Sequence, residues 1–199
     1  MKILTEESLN QMWGQFYAIF EAIGLSKYYD CEKLAVELRS APCGTTEDTG
    51  LAYKGALLSH INLTMGIAER LAKTVSGTFT IDKETLLKVC AIQHLSKRNM
   101  FIECPEDWKI KKGNLFDFNP EKEGCLKAGE RSALEALNNG VKLTELEYEA
   151  VRIIDRAGND SKNPYNNILS VVVRQANELA YAIAREKYNK DNATENQKA

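Results

Sequence analysis

Two residues in the chain have the chemistry of a catalytic or metal-binding group and a placement that repeats. They are the only two histidines in 199 residues, His60 and His94. His60 closes the segment Gly55-Ala56-Leu57-Leu58-Ser59-His60, and His94 closes Cys90-Ala91-Ile92-Gln93-His94. Each falls on or beside the apolar stripe of a helical pattern. Buried imidazoles of this kind are hydrogen-bonded core residues, or they face each other from consecutive antiparallel helices and share a metal. Two neutral imidazoles alone make a weak site, because hard catalytic cations also want carboxylate oxygens. Other chemistry is missing: no GxGxxG, GxxxxGK[ST] or GxSxG pattern occurs. The five cysteines, Cys31, Cys43, Cys90, Cys104 and Cys125, contain no CxxC pair, so a zinc site built from them is not expected. They read as reduced thiols in a cytoplasm-like compartment.

The elements that must position these groups are helical. Leu9, Met12, Trp13, Phe16, Phe20 and Ile23 form one stripe, with Thr5 as cap and Gly24 as stop. A second helix is expected over about 30–39, and 40–50 reads as loop, punctuated by Pro42, Gly44 and Gly50. A third runs from about Tyr53 to Thr74, and a fourth from the cap Asp82 to about Lys97. The stretch Trp108 to Phe118 alternates on either side of Lys112-Gly113-Asn114 and reads as a β-hairpin. Helices follow over about 123–138, then from Thr144 (with Glu147 at capping-box spacing) to near Asp155, then over about 165–188. Residues 156–164 read as a polar loop. The expectation is an all-α bundle of about seven helices with one small β-hairpin insertion. It would form one domain over 1–188, with 1–39 as an N-terminal helical extension, 40–188 as the core and 189–199 as a polar tail.

Composition bounds the function. With 26 Lys+Arg against 28 Asp+Glu the net charge is -2, which argues against a general nucleic-acid binder. An apolar fraction of 44% excludes disorder of the whole chain. No apolar run approaches the ~18 residues of a membrane span, and no long apolar stretch follows Lys2 as in a secretory signal.

The order of motifs resembles the HD-domain metal-dependent phosphohydrolase superfamily, in the branch found in phages and mobile elements. The residues that carry the resemblance are Ala41-Pro42, Gly50-Leu51-Ala52-Tyr53-Lys54-Gly55 through His60, and Ile92-Gln93-His94-Leu95-Ser96-Lys97-Arg98-Asn99-Met100-Phe101. It continues through Trp108, Gly129-Glu130-Arg131-Ser132, Leu143-Thr144 to Ala150-Val151-Arg152-Ile153-Ile154, and Ala176-Asn177-Glu178-Leu179-Ala180, covering roughly residues 40–185. The resemblance implies an HD-like bundle in which a His, an adjacent His-Asp pair and a late Asp hold a metal. His60 and His94 match the histidines. Leu95 stands beside His94 where the Asp is expected, or that Asp is deleted, and Asn177 replaces the late Asp. Further family histidines match Gly50, Ala128 and Ile154.

Carboxylates hold hard cations by charge; the Asn177 amide contributes a dipole only. The expectation is a vestigial metal site of His60, His94 and Asn177, with no catalytic residues and no cofactor. The protein would then be a catalytically degenerate, non-enzymatic binding or assembly module. Its partner would be a protein or a second copy, in host cytoplasm or virion if phage-encoded, with no membrane role. Trp13, Phe16, Phe116 and Phe118 could contribute an interface, although Trp13 and Phe16 are core by default. The alternative is a phosphohydrolase acting on nucleotides with Mn²⁺ or Mg²⁺, Asp48 or Glu130 standing in for the lost acids. A third reading is a nucleotide-binding protein that does not hydrolyse. Lys54, Lys97, Arg98 and Arg131 are then the candidate phosphate contacts, against the plainer reading of a solvated charged rim. Lys109, Lys111 and Lys112 read as a solvated basic spot on the hairpin.

Overall fold

The structure, a computed structural model, describes residues 4–122, 124, 126–154 and 167–196. The fold is all-α with a small two-stranded antiparallel sheet. Among the described residues there are eight α-helices, one more than the sequence pattern suggests. They are α1 (Glu6–Ala22), α2 (Cys31–Ser40), α3 (Ala56–Val75), α4 (Lys83–Ile92), the short α5 (Asp107–Ile110), α6 (Ala128–Asn138), α7 (Glu145–Arg152) and α8 (Ile168–Asn196). None of the described helices is long and apolar enough to cross a membrane.

The expected caps form. Thr5 Oγ1 accepts the Ser8 N–H, Asp30 the Lys33 N–H, and Asp82 the Thr85 N–H. Thr144 and Glu147 exchange reciprocal side-chain–backbone bonds at the start of α7. The buried Glu147 carboxylate also receives Lys88 Nζ at 2.9 Å, tying α7 to α4.

One continuous core runs through the helices. Phe16 and Phe20 of α1, Leu34 and Leu38 of α2, and Leu57, Leu58 and Ile61 of α3 meet Val89 and Ile92 of α4 and Val172 and Val173 of α8. The pairing of α3 with α8 is the most extensive in the fold. Phe16 is fully buried and Trp13, half-buried, packs on the core. Among the described residues Cys31, Cys43, Cys90 and Cys104 form no disulfide; Cys125 lies outside them.

The hairpin differs from the expectation. Phe116–Phe118 (β2) is a strand, but its partner is Phe101–Glu103 (β1), with Phe101 opposite Phe118 and Glu103 opposite Phe116. Trp108 lies on α5, because Ile110 N–H and Lys111 N–H find local acceptors at Glu106 O and Asp107 O. Trp108 is exposed, with the ammonium groups of Lys109 and Lys112 at 5.9 and 5.0 Å from its ring. A four-residue run of alternating apolar and basic residues satisfies one helical turn as well as a strand, and the local bonds decide it. Phe118 is exposed and Phe116 buried.

Other boundaries shift. Helix α3 starts at Ala56 rather than Tyr53, after a turn through Gly55. Helix α4 ends at Ile92, five residues before the expected Lys97, and a 3-10 turn over Leu95–Asn99 follows. Helix α6 starts at Ala128 rather than near 123, and α7 ends at Arg152. Helix α8 continues to Asn196, so residues 189–196 of the expected tail are helical. The expected polar loop at 156–164 and the helix start near Tyr165 lie outside the described residues.

Helix α6 sits close against the end of α7 at Gly129. A Cβ there would lie 2.5 Å from the Val151 carbonyl oxygen and 2.8 Å from Ile154 Cγ2. Gly129→Ala must therefore push two backbones apart, and a loss of about 1–3 kcal/mol is expected, read as a lower urea midpoint. An unchanged midpoint would contradict the close approach.

Candidate functional site

His60 stands in the second turn of α3 and is 1% exposed. His94 lies two residues past the end of α4, at the start of the 95–99 turn, and leaves helical geometry with φ −122° and ψ 6°. Its carbonyl accepts the Lys97 N–H at 2.9 Å, so the turn that ends α4 also fixes the imidazole. Asn177 comes from α8. The three side chains converge. Asn177 Oδ1 accepts Nε2–H from His60 at 2.8 Å and from His94 at 2.8 Å, with the ring centroids 5.4 Å apart. A carboxamide oxygen has two lone pairs, so one acceptor serves both donors. This fixes both imidazoles as Nε2–H tautomers. Each Nδ1 is then a buried acceptor with no hydrogen-bond partner among the described residues.

One turn further along α8, Tyr181 lays its ring 4.2 Å from that of His60. Its hydroxyl accepts from Lys97 Nζ at 2.9 Å and lies 3.5 Å from Cys43 Sγ. Lys97 is 9% exposed, so its ammonium sits at the edge of the imidazole cluster rather than in solvent. Burial lowers the His60 pKa to about 4, with the Lys97 charge adding to the effect. Burial and the same charge hold His94 well below its ordinary value. Both rings are neutral near pH 7.

The other sequence-derived residues separate. Leu95, in the place the resemblance gives to aspartate, is 1% exposed and part of the apolar core. Arg98 is clamped between Glu37 and Glu135, with its Nη2 2.7 Å from Glu135. Lys54 pairs with the exposed Glu103 at 2.8 Å. Only Lys97, of the four candidate phosphate contacts, reaches the imidazoles. Arg131 belongs to α6, which docks on the 95–99 turn through Ser132. There Ser132 Oγ accepts the Ser96 N–H, and Ser96 Oγ donates to the Ala128 carbonyl at 2.8 Å. The Gly129-Glu130-Arg131-Ser132 segment thus acts in packing: Gly129 allows the approach to α7 and Ser132 holds the turn after His94.

The two acids considered as replacements do not join the cluster. Asp48 is exposed, and Glu130 accepts the Lys127 N–H at the start of α6. Among the described residues no group of three or more His, Cys, Asp or Glu side chains is arranged so that it could hold a metal ion. Tyr181 and Cys43 escaped the sequence reading. The signal for Tyr181 is its position four residues after Asn177, on the same helix face; nothing local marks Cys43.

His60 also borders a cavity of about 630 Å³ between α3, α8 and the 47–53 loop. Comparison with family models, curated proteins and solved structures found no match for this chain.

The buried neutral rings set a pH dependence. A histidine with a folded pKa near 4 and an unfolded value of 6.5 contributes its full stabilisation above pH 6.5 and loses it as the pH falls toward 4. For His60 the loss is about 3 kcal/mol. NMR titration of the two imidazole Cε1–H signals should show both rings neutral at pH 5.5. A ring protonated at that pH in the folded protein would contradict the cluster.

Proposed function

We propose that the chain is an HD-like helical scaffold that has lost hydrolytic chemistry and works as a metal-independent binding module. One observation carries this reading: the carboxamide of Asn177 occupies the meeting point of the two imidazoles. The donors available there are two neutral nitrogens and one neutral oxygen, with an ammonium, Lys97, close by. Mg²⁺ and Mn²⁺ bind through anionic oxygen, and a neighbouring fixed cation repels them. The residues present therefore do not fit a hard divalent metal.

The nucleotide reading weakens on the same grounds. Arg98 and Lys54 are already matched with carboxylates, so they do not form a shared phosphate cradle. The cavity beside His60 supports the binding reading instead. Its volume lies within the usual range for small-molecule sites, about 300–1,000 Å³.

The test is a metal titration of the wild type and of Asn177→Asp. The wild type should gain no thermal stabilisation from Mn²⁺ and should not hydrolyse p-nitrophenyl phosphate with it. Asn177→Asp places an anionic oxygen between the imidazoles and should gain Mn²⁺-dependent stabilisation, reaching about 2.7 kcal/mol at 100 times its Kd. Stoichiometric metal in the wild type together with turnover lost in His94→Ala would overturn the proposal.

A further inference from the structure

We infer that the cavity over His60 is a binding site for an organic amine carried on an apolar body. The inference deepens the binding-module reading and rests on it for its functional meaning.

The cavity has two unlike ends. Its inner end is formed by Ser59, His60 and Leu63 of α3, Ala180 of α8, and Leu51 and Tyr53 of the preceding loop. Leu51, Tyr53, His60 and Ala180 are buried. The lining then follows one face of α8 outward, through Ala184, Lys187 and Tyr188 to Asp191. From Ala180 to Asp191 is eleven residues, about 16 Å at 1.5 Å per residue. Glu47 lines the cavity from the loop that packs on this half of α8. Gly50 sets that packing: at φ 69° a Cβ would lie 2.5 Å from the Ala184 carbonyl oxygen and 3.0 Å from Tyr188 Cβ. Hydrogen bonds from the Glu47 N–H to Gly113 O and from the Leu115 N–H to Thr45 O hold the loop against the turn that precedes β2.

Charge selects among ligands. Among the described residues the lining carries two carboxylates, Glu47 and Asp191, against one ammonium, Lys187, and no arginine. Lys54, Lys97, Arg98 and Arg131 are not part of it. A phosphate or carboxylate ligand would meet net negative charge at the outer half and a neutral imidazole at the inner end. An amine meets the reverse. Its charge is favoured by Glu47 and Asp191, and its apolar body fits Leu51, Leu63 and Ala180 with the rings of Tyr53 and Tyr188. His60 closes the inner end as a neutral ring, which adds no positive charge against an amine.

The test uses two probes of similar shape and opposite charge, tryptamine and indole-3-propionate, titrated into the full chain at pH 7 and low salt. Binding is read from thermal shift and from perturbed ¹⁵N–¹H signals of Tyr53, His60 and Tyr188. Tryptamine should bind about tenfold or more tighter than the acid. In the Glu47→Gln, Asp191→Asn double variant, which changes two side chains outside the buried core, that preference should shrink severalfold. Equal affinity, preference for the acid, or binding of neither probe would overturn the amine assignment while leaving the metal-independent reading in place. Mn²⁺-dependent hydrolysis by the wild type would instead remove that reading, whichever probe binds.

Discussion

The cluster at the centre of the molecule depends on one oxygen atom. Asn177 Oδ1 accepts from two imidazoles that arrive from different helices, and it joins α3, the end of α4 and α8 at a point with almost no solvent. In such surroundings each buried donor left without a partner costs about 1–3 kcal/mol. A single neutral acceptor that satisfies both is therefore structural as well as chemical. It also fixes the tautomer of each ring. The neutrality of the rings follows from their burial and from the Lys97 ammonium nearby. A carboxylate in the same place would invert this balance, drawing protons or a cation to the rings.

The rest of the fold holds these three side chains in register. The most extensive helix pairing, α3 with α8, carries His60 and Asn177. His94 is placed by the early end of α4 and by the turn that follows it, which Ser132 and Arg98 fasten to α6 and α2. Tyr181 extends the cluster along α8 toward Lys97 and Cys43. The same face of α8 continues past Tyr181 to wall the cavity, so the polar cluster and the cavity share one helix. Ligand occupancy at His60 would be felt directly by the ring that Asn177 holds.

Much of the fold was legible in the residues themselves. Thr5, Asp30, Asp82 and the Thr144–Glu147 pair announce helix starts through a local mechanism, and each works as a cap. The apolar stripes of α1, α3 and α8 were readable for the same reason: the 3.6-residue period acts within one element. The strand pairing was not, because the partner of Phe116–Phe118 lies across a short helix that local alternation resembles. The end of α4 was hidden too. Gln93-His94-Leu95 continues an apolar helical pattern, and only the contacts of the next turn with α6 break it. Within the site, the meeting of His60, His94 and Asn177 followed from motif order. The engagement of Arg98 and Lys54 by Glu37, Glu135 and Glu103 did not, since those partners are distant in sequence. The helical stretch at 189–196 reads as a polar tail because its residues carry no apolar stripe, yet Asp191 and Asn192 line the cavity.

The central claim is that an amide oxygen, rather than a metal ion, joins the two imidazoles. Anomalous scattering from crystals grown with millimolar Mn²⁺ tests it most directly. The expected result is no anomalous peak between the rings, with both His60 Nε2 and His94 Nε2 at hydrogen-bond distance, near 2.8 Å, from Asn177 Oδ1. A full-occupancy peak ligated by both imidazoles would contradict it.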